Sequence, residues 1–310
     1  MTIPDFFVPS AALSGCIAIG NFDGVHRGHV SMLQSLRELA DQTQSRSVAV
    51  TFDPHPIAIL RPEFTPPVLT TIRERLLLLK QHGADEVVVL PVSEALLEMS
   101  AQQFFTDVVV GQFRAKGIVE GPNFHFGKDR RGDVTLLQAM CQGSQISCRI
   151  AESVSCDGEM ISSSRIRELL CSRAMSEAVQ LLGHPYRLTG FVRKGAGRGR
   201  TIGFPTANLS DIPTLLPAHG VYAGITHLEG LAFPVAVSIG PNPTFGEHRE
   251  KIECHVDGFS GDLYEREFSI DLLSEVRALQ AFSSVESLRQ QIQADVDSCR
   301  KIANTWCARR

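Results

Sequence analysis

Residues 190–208 read Gly-Phe-Val-Arg-Lys-Gly-Ala-Gly-Arg-Gly-Arg-Thr-Ile-Gly-Phe-Pro-Thr-Ala-Asn. Glycines let a backbone approach a ligand closely, and successive exposed N–H groups can bind phosphate oxygens. The glycines concerned are Gly195, Gly197, Gly199 and Gly203, and the cations among them are Arg193, Lys194, Arg198 and Arg200. No acidic residue lies between Glu177 and Asp211, although the whole chain has a net charge of -4. This local bias predicts an anionic ligand.

The stretch is neither a P-loop nor typical of a linker. The P-loop spacing Gly-x-x-x-x-Gly-Lys-Ser/Thr does not occur in it. A flexible basic linker between domains would also be rich in glycine and arginine. However, residues 201–208 are apolar and strand-like, which is poor linker composition. We therefore favour an anion-binding loop.

Length and composition indicate a globular protein of two domains. The chain has 310 residues, of which 43% are hydrophobic and 21% charged. Its isoelectric point of about 6.2 argues against a general nucleic-acid binder. The eight cysteines form no Cys-x-x-Cys pair, which is typical of reduced thiols in a cytosolic protein. Because the first basic residue is Arg27 and no long apolar run occurs, we expect a cytoplasmic location without a signal peptide or membrane span.

Apolar runs and helical patterns alternate along the first half. Strands are expected over 16–20, 47–52, 86–91, 117–120 and 148–154. Helices are expected over 24–39, 73–82, 101–111, 133–142 and 162–182. This alternation predicts an α/β domain with a mostly parallel sheet covered by helices on both faces. Ligands of such sheets bind beyond the carboxyl ends of the strands.

One such strand end carries two histidines. Residues 20–29 read Gly-Asn-Phe-Asp-Gly-Val-His-Arg-Gly-His, so that His26 and His29 share a face of the first helical turn. Imidazoles at a helix N-terminus can bind phosphate and stabilise charge during substitution at phosphorus. A zinc pair completed by Asp53 or His55 is one alternative, and two ordinary surface histidines are another. The flanking glycines favour the phosphate site.

A second candidate anion site lies at 162–167, where a helix is expected to begin. The stretch Ser-Ser-Ser-Arg-Ile-Arg places hydroxyl groups and two arginines at that helix N-terminus. A simple N-cap explains these residues equally well. The stretch by itself leaves both interpretations open.

Three motifs of the first half resemble those of a known family. Residues 20–29 resemble the HxGH signature of nucleotidylyltransferases. Residues 120–127 (Glu-Gly-Pro-Asn-Phe-His-Phe-Gly) with Gly132-Asp133, and residues 161–167 (Ile-Ser-Ser-Ser-Arg-Ile-Arg), extend the likeness. Together they resemble the adenylyltransferase domain of bacterial bifunctional riboflavin kinase/FAD synthetase, with Ser164 where threonine is usual.

This resemblance implies a Rossmann-like FMN adenylyltransferase domain over 1–183. It implies that His26, His29 and Asn123 are catalytic. It further implies ATP contacts from Gly20, Phe22, Asp23, Gly24, Ser162, Ser163, Ser164 and Arg167. Flavin contacts are implied for Asn123, Phe52 and Asp53.

The pattern changes after Gly183-His184, which we take as the domain boundary. Short strands are expected over 186–193, 221–227, 231–239, 251–256 and 267–272, separated by Gly, Pro, Asn and Asp. This spacing predicts an antiparallel barrel or sandwich. Apolar residues at helical intervals over 284–305 predict a closing helix.

The second half resembles the riboflavin kinase domain of the same family. The matching stretches are 190–208, 216–224 and 238–246, and Pro205-Thr206-Ala207-Asn208 is the most specific of them. The resemblance implies a six-stranded Greek-key barrel over 184–310. It implies ATP contacts from Gly195, Gly197, Arg198, Gly199, Arg200, Thr206 and Asn208. Thr206 and Asn208 would hold Mg²⁺ with the nucleotide phosphates, whereas by themselves they fit a strand and a turn residue.

The resemblance also implies that Glu253 is the proton acceptor for phosphorylation of an alcohol. Without it, Glu253 would be interpreted as a solvent-facing strand residue. Glu250 lies on the opposite face if the strand alternates. The chain departs from the family at Glu265, where glycine usually follows tyrosine, and at Leu279-Gln280, where an acidic residue is common.

We therefore expect a bifunctional enzyme that makes FMN from riboflavin and ATP, and FAD from FMN and ATP, with Mg²⁺. Its partners would be these small molecules, without nucleic acid or membrane, and the sequence does not specify an oligomeric state. One alternative is a nucleotidylyltransferase with another acceptor, such as phosphopantetheine or a cytidylyl-transfer substrate. Residues 190–208 speak against it. Another alternative is a flavin-binding carrier or regulator without catalysis.

Overall fold

The computed structural model describes residues 7–195, 198–241 and 250–309. Gly197, and residues 242–246 of the third kinase motif, lie outside these ranges. The chain forms two compact units, Met1–Ser162 and Ser163–Arg310, here called the first and second unit. The boundary expected at 183–184 falls after this division, because two helices that precede the barrel belong to the second unit.

A parallel sheet of five strands forms the centre of the first unit. Its strands are β1 (Cys16–Gly20), β2 (Ser47–Asp53), β3 (Glu86–Pro91), β4 (Gly117–Glu120) and β5 (Ser147–Ile150). Their spatial order is β3-β2-β1-β4-β5, with all neighbours parallel. The order therefore reverses beside β1, which makes the end of β1 the expected ligand position. The predicted α/β architecture is confirmed.

Helices cover both faces of this sheet. They are α1 (Arg27–Gln42), α2 (Pro56–Leu60), α3 (Ile72–Gln81), α4 (Glu94–Leu97), α5 (Ala101–Gln103) and α6 (Val134–Gly143). A π-helix, Phe104–Gln112, continues α5. Because side chains alternate along a strand, Cys16 and Ala18 pack against Leu33 of α1, whereas Ile17 packs with Phe105 on the other face. The predicted strand 148–154 ends early at Ile150, and a small hairpin, β6 (Ser155–Cys156) and β7 (Glu159–Met160), follows.

The second unit begins with two helices where the sequence predicted one over 162–182. They are α7 (Ser163–Cys171) and α8 (Met175–Leu182). The prediction of a continuous helix was wrong, because Arg173 adopts a left-handed φ of 67° and ends the first helix. Helix α8 then packs against the barrel.

Six antiparallel strands close into a barrel, as predicted. The elements are β8 (Tyr186–Arg193), α9 (Arg198–Thr201), β9 (Ala207–Ser210), β10 (Gly220–Leu228), β11 (Leu231–Gly240), β12 (Lys251–Val256), β13 (Glu267–Arg277) and α10 (Val285–Ala308). The barrel order is β10-β11-β12-β9-β8-β13, and the C-terminal helix α10 packs on its outside. The strand-like appearance of 201–208 was misleading. A helical turn opens this stretch, and β9 starts only after Pro205, which has no N–H for a ladder bond.

Candidate active sites

The loop between β1 and α1 holds an unusual backbone, and we call residues 20–29 the histidine turn. Phe22, Gly24 and Val25 have φ values of 48°, 82° and 39°. A left-handed conformation is unfavourable for a bulky or β-branched residue, so the surrounding structure must stabilise it. His26 is the N-cap of α1, and its Nδ1 accepts a hydrogen bond from the backbone N–H of His29 at 3.4 Å.

The two histidines predicted to act together lie in direct contact. Their rings stack with centroids 3.6 Å apart and an angle of 15° between planes. His29 Nδ1 is buried and has no hydrogen-bond partner among the described residues. Burial, followed by the charges of His26 and Arg75, lowers the pKa of His29 well below its usual value. His29 is therefore neutral at pH 7 and available as a hydrogen-bonding group.

The zinc alternative for this turn lacks a further ligand. Within the ranges that the structure describes, no three His, Cys, Asp or Glu side chains come together to hold a metal ion. Gly28 is packed against the His26 ring, where an added methyl group would lie 3.1 Å from His26 Nδ1. The turn thus requires a small residue at this position if the imidazoles are to stay stacked.

Asp23 anchors the histidine turn from inside. Its buried carboxylate accepts hydrogen bonds from the backbone N–H groups of Leu69, at 3.0 Å, and Thr70, at 3.1 Å. It also accepts one from Arg75 Nη2 at 3.4 Å. These bonds stabilise the strained backbone around Gly24, whose own N–H donates to Thr70 Oγ1 at 3.1 Å. A contact of Asp23 with ATP stays a prediction.

The residues predicted at the flavin follow strands that neighbour β1. Phe52 and Asp53 end β2, and Asn123 lies three residues beyond β4. Because the strands are parallel, all three lie at the edge of the sheet that carries the histidine turn. Asn123 is exposed, and its Nδ2 donates to Met160 Sδ at 3.4 Å. The structure thus brings these predicted residues to one edge.

Sequence reasoning did not assign a role to Glu120, the last residue of β4. It is 1% exposed, and its Oε1 accepts the backbone N–H of Ile19 at 2.8 Å. Burial raises the pKa of Glu120 well above its usual value. An acidic residue at the end of a short apolar strand was the available signal.

The residues of the predicted anion site at 162–167 straddle the division of the chain. Ser162 ends the first unit, and Ser163, Ser164 and Arg167 belong to α7 at the start of the second. Helix α7 buries Ile166 and Leu170, so its apolar face is structural. Contacts of the serines and Arg167 with ATP stay a prediction.

In the barrel, the predicted base and a predicted metal ligand are cross-strand partners. Glu253 of β12 lies directly opposite Asn208 of β9 in the antiparallel ladder. Side chains of such a pair project to the same face and lie within contact distance. Ile252 and Cys254 are buried on the other face, which leaves Glu253 half-buried. Glu250 lies before the strand, 3.1 Å from His219 Nε2.

The glycine loop (residues 194–204) packs on the same two predicted metal ligands. A methyl group added at Gly195 would lie 2.7 Å from Asn208 Cγ and 3.0 Å from its Oδ1. One added at Gly199 would lie 3.2 Å from Thr206 Oγ1. The loop backbone therefore approaches both oxygen-bearing side chains as closely as glycine allows. This explains why glycines occur at these positions.

A cavity of about 510 Å³ opens beside this loop. Its size is in the range of small-molecule sites. The residues that line it include Arg200, Pro205, Thr206, Val192, Cys254 and Tyr264. The cavity is thus lined by a cation of the glycine loop, by a candidate metal ligand and by apolar side chains.

Arg193, one of the cations of the predicted anion-binding stretch, is paired with two carboxylates of the protein. Its guanidinium pairs with Asp211 at 3.1 Å and with Glu265 at 2.8 Å. Glu265 has a φ of 56°. That left-handed conformation suits the glycine that the family usually has there, and here the ion pair with Arg193 holds a glutamate in it.

The two sites define a class of protein, namely a nucleotide-dependent transferase with one site on a Rossmann-like sheet and another on a barrel. Comparisons with known proteins agree. The family model FAD synthetase matches residues 9–165, and the model riboflavin kinase matches residues 182–303. No helix in the part of the chain that the structure describes is long and apolar enough to cross a membrane.

Relatives match along nearly the whole length. The bifunctional riboflavin kinase/FMN adenylyltransferase of Pseudomonas fluorescens is 35% identical over 93% of each chain, and that of Escherichia coli strain K12 is 36% identical over 94% of each. The crystal structure of a protein named macrolide-efflux protein from Streptococcus pneumoniae is 29% identical, covers 96% of each chain and has a TM-score of 0.84. The chain belongs to the family of bifunctional riboflavin kinase/FMN adenylyltransferases.

Proposed function

We propose that the barrel phosphorylates riboflavin and that the α/β unit adenylylates the product, with the residues described above in defined roles. The enzyme converts riboflavin and ATP to FMN and ADP, and then FMN and a second ATP to FAD and pyrophosphate. The observation that best supports the residue assignment is the pairing of Glu253 with Asn208 across two strands.

Phosphorylation of riboflavin needs a base, because its nucleophile is a neutral primary alcohol. We assign this role to Glu253, which accepts the proton of the ribityl 5′-hydroxyl while the oxygen attacks the γ-phosphorus of ATP. The bond from that phosphorus to the β-phosphate oxygen breaks, and ADP leaves. In this arrangement the described glycines of the loop and Arg200 would contact the phosphates. The predicted contacts of Gly197 and of the Arg198 side chain lie outside the described part of the structure.

The residues at the glycine loop fit a magnesium ion. Thr206 and Asn208 offer a hydroxyl and an amide oxygen, which are the hard oxygen ligands that Mg²⁺ prefers when nucleotide phosphates supply others. Close packing of Gly195 and Gly199 on these side chains supports the fit. When bound, the ion would neutralise charge on the phosphates. Thr206 and Asn208 would hold it beside Glu253.

Adenylylation of FMN needs no strong base, because a phosphate is already a nucleophile at neutral pH. An FMN phosphate oxygen attacks the α-phosphorus of ATP, and pyrophosphate leaves. His26, His29 and the N-terminus of α1 would stabilise the charge that develops. The ATP contacts predicted for Ser162, Ser163, Ser164 and Arg167 are a separate proposal. Gly20, Phe22 and Gly24 would shape the nucleotide site, and Asn123, Phe52 and Asp53 the flavin site.

The proposed division of labour is tested with a double variant, His26→Ala with His29→Ala. It should lose FAD synthesis from FMN by at least about 100-fold, the usual scale for such groups, and keep riboflavin phosphorylation. Full FAD synthesis by this variant would refute the role of the histidine turn. Loss of both activities would refute the separation of the two sites.

Products are separated by chromatography after incubation with riboflavin and ATP. Chelation of Mg²⁺ should stop FMN formation, and its addition should restore it. Flavin binding without ADP or pyrophosphate release would instead indicate the carrier alternative.

We also propose a cytoplasmic location, which is supported by eight free thiols among the described residues.

A further inference from the structure

A buried arginine lies beneath the histidine turn. Arg75 of α3 is 7% exposed. Its Nη2 donates to Asp23 and to the backbone carbonyl of Thr70, each at 3.4 Å. Its Nη1 donates to Thr51 Oγ1 at 3.4 Å and to the carbonyl of Phe52 at 3.3 Å. One guanidinium therefore connects the histidine turn to the end of β2, where the flavin residues are predicted.

Burying a charged side chain costs free energy of desolvation, and an apolar side chain of similar volume would often give a fold of equal stability. The guanidinium is therefore expected to serve the site as well as the fold. Its hydrogen bonds restrain the turn in which Phe22 and Val25 have positive φ values. They also fix the carbonyl of Phe52 at the same sheet edge. These contacts give Arg75 a positional role that a neutral side chain would not reproduce.

The charge of Arg75 also acts on His29. The ionisable groups whose charges act on this imidazole are His26, stacked on it at 3.6 Å, and Arg75. Asp23, the carboxylate in the same turn, is bonded to Arg75 and to backbone N–H groups. Burial and both cationic groups disfavour the imidazolium form of His29. Two stacked imidazoles can remain this close only when they do not both carry charge.

We propose that Arg75 is a positioning residue for adenylyl transfer: its hydrogen bonds to Asp23 and to the end of β2 restrain the histidine turn, and its charge disfavours the imidazolium form of His29. This inference rests on the role proposed for His29. A neutral imidazole presents one N–H donor and one acceptor to the nucleotide, and its geometry is set by the turn that Arg75 restrains. The enzyme thereby keeps a hydrogen-bonding pair of histidines ready without repulsion between them.

The test is a titration of histidine ring signals by NMR in the full chain, with His29 assigned through His29→Gln. Arg75→Met should raise the titration midpoint of His29, because it removes one of the charges that disfavour the imidazolium form. Arg75→Lys, which keeps the charge but not the planar fork, should leave the midpoint as in the native protein. An unchanged midpoint in a folded Arg75→Met variant would overturn the proposal.

Catalysis gives the second readout. Arg75→Met should lose FAD synthesis more strongly at pH 6 than at pH 8, whereas Arg75→Lys should lose it equally at both. Riboflavin phosphorylation should stay unchanged in both variants. Equal losses at all pH values in both variants, with no change of midpoint, would indicate a merely structural role and overturn the proposal.

Two further variants keep the test decisive. Arg75→Gln retains hydrogen-bond donors without charge, and it replaces Arg75→Met if that variant fails to fold. If His29→Ala keeps full FAD synthesis, the role proposed for His29 fails, while the titrations still decide whether Arg75 controls its charge.

Discussion

Replacement of Gly195 by alanine tests how the glycine loop serves phosphorylation. The added methyl group would lie closest to Asn208 Nδ2 and 2.7 Å from Cγ, whereas ordinary contacts begin at 3.4 Å, so the amide must move by more than about 0.7 Å. A displacement of about 1 Å at a reacting centre costs roughly 100-fold in rate. We therefore expect Gly195→Ala to lower the kcat of riboflavin phosphorylation by about 30- to 100-fold, or roughly 2 to 3 kcal/mol.

The assay is FMN formation at saturating ATP, with FAD formation from FMN as an internal control that should not change. Gly203→Ala is the matched variant in the same loop, because no atom lies within 4 Å of its added methyl group. It strains a positive φ but does not touch Asn208, and it should lose no more than about fivefold, the rate equivalent of about 1 kcal/mol.

A double-mutant cycle completes this test. In an Asn208→Ala background the side chain that collides with the methyl group is absent, so adding Gly195→Ala should cost little more. Losses that multiply in the double variant would show that the alanine acts elsewhere in the loop. A normal kcat for Gly195→Ala would refute the reasoning from close packing.

Three further predictions concern single side chains. Glu253→Gln should lower the rate of riboflavin phosphorylation by about 100- to 10,000-fold, as expected for loss of a general base. The control variant Glu250→Gln should keep a rate within about twofold of the native one, because it removes only an exposed ion pair. Similar rates for the two variants would mean that the base is misassigned. Gly28→Ala should displace the His26 ring, because the added methyl group would lie 3.1 Å from it. FAD synthesis should then fall by about tenfold, while FMN formation stays the same. Unchanged FAD synthesis would contradict this prediction. Because burial raises the pKa of Glu120, the folded state binds its proton more tightly than the unfolded chain, and stability is lost as pH rises above the usual carboxyl range. Thermal melts should therefore show Glu120→Gln to be more stable than the native protein at pH 8 but not at pH 4, and an equal gain at both would refute the linkage.

Much of the fold follows from local sequence patterns. The predicted bounds of β1, β8 and β12 agree with the structure, because each is an apolar or alternating run that changes composition at both ends. The single helix expected over 162–182 failed because one residue, Arg173, takes a left-handed φ. Apolar periodicity continues across such a break, so the pattern alone does not reveal it.

The sites were less accessible to sequence reasoning than the fold. Motifs make His26 and Glu253 candidates, because the resemblance to a family implies their roles. They do not reveal that Asp23 bonds to Leu69 and Arg75, because those partners lie far along the chain and meet it only after folding. Long-range buried partners of this kind leave no local pattern.

At Glu265, where the chain departs from the family pattern, the sequence reveals that the residue is unusual and the structure explains why. The sequence marks it as unusual, because glycine is expected there, but does not give the reason. The structure supplies both parts of the explanation, a φ of 56° and an ion pair with Arg193. A left-handed residue other than glycine costs about 1 kcal/mol, and an exposed ion pair contributes up to about the same amount. The substitution is therefore close to neutral for the loop.

The two proposed sites differ in whether they offer a base, and the two nucleophiles differ in whether they need one. The alcohol of riboflavin must lose a proton, and the barrel offers a half-buried carboxylate, Glu253, directly beside Asn208. The phosphate of FMN needs no base, and in the histidine turn the carboxylate of Asp23 is bonded within the protein. What that turn offers instead is a neutral imidazole whose charge is suppressed by burial, His26 and Arg75. A carboxylate exposed beside an attacking phosphate would repel it, so the bonds that hold Asp23 within the protein suit the adenylyl transfer that we propose for this turn.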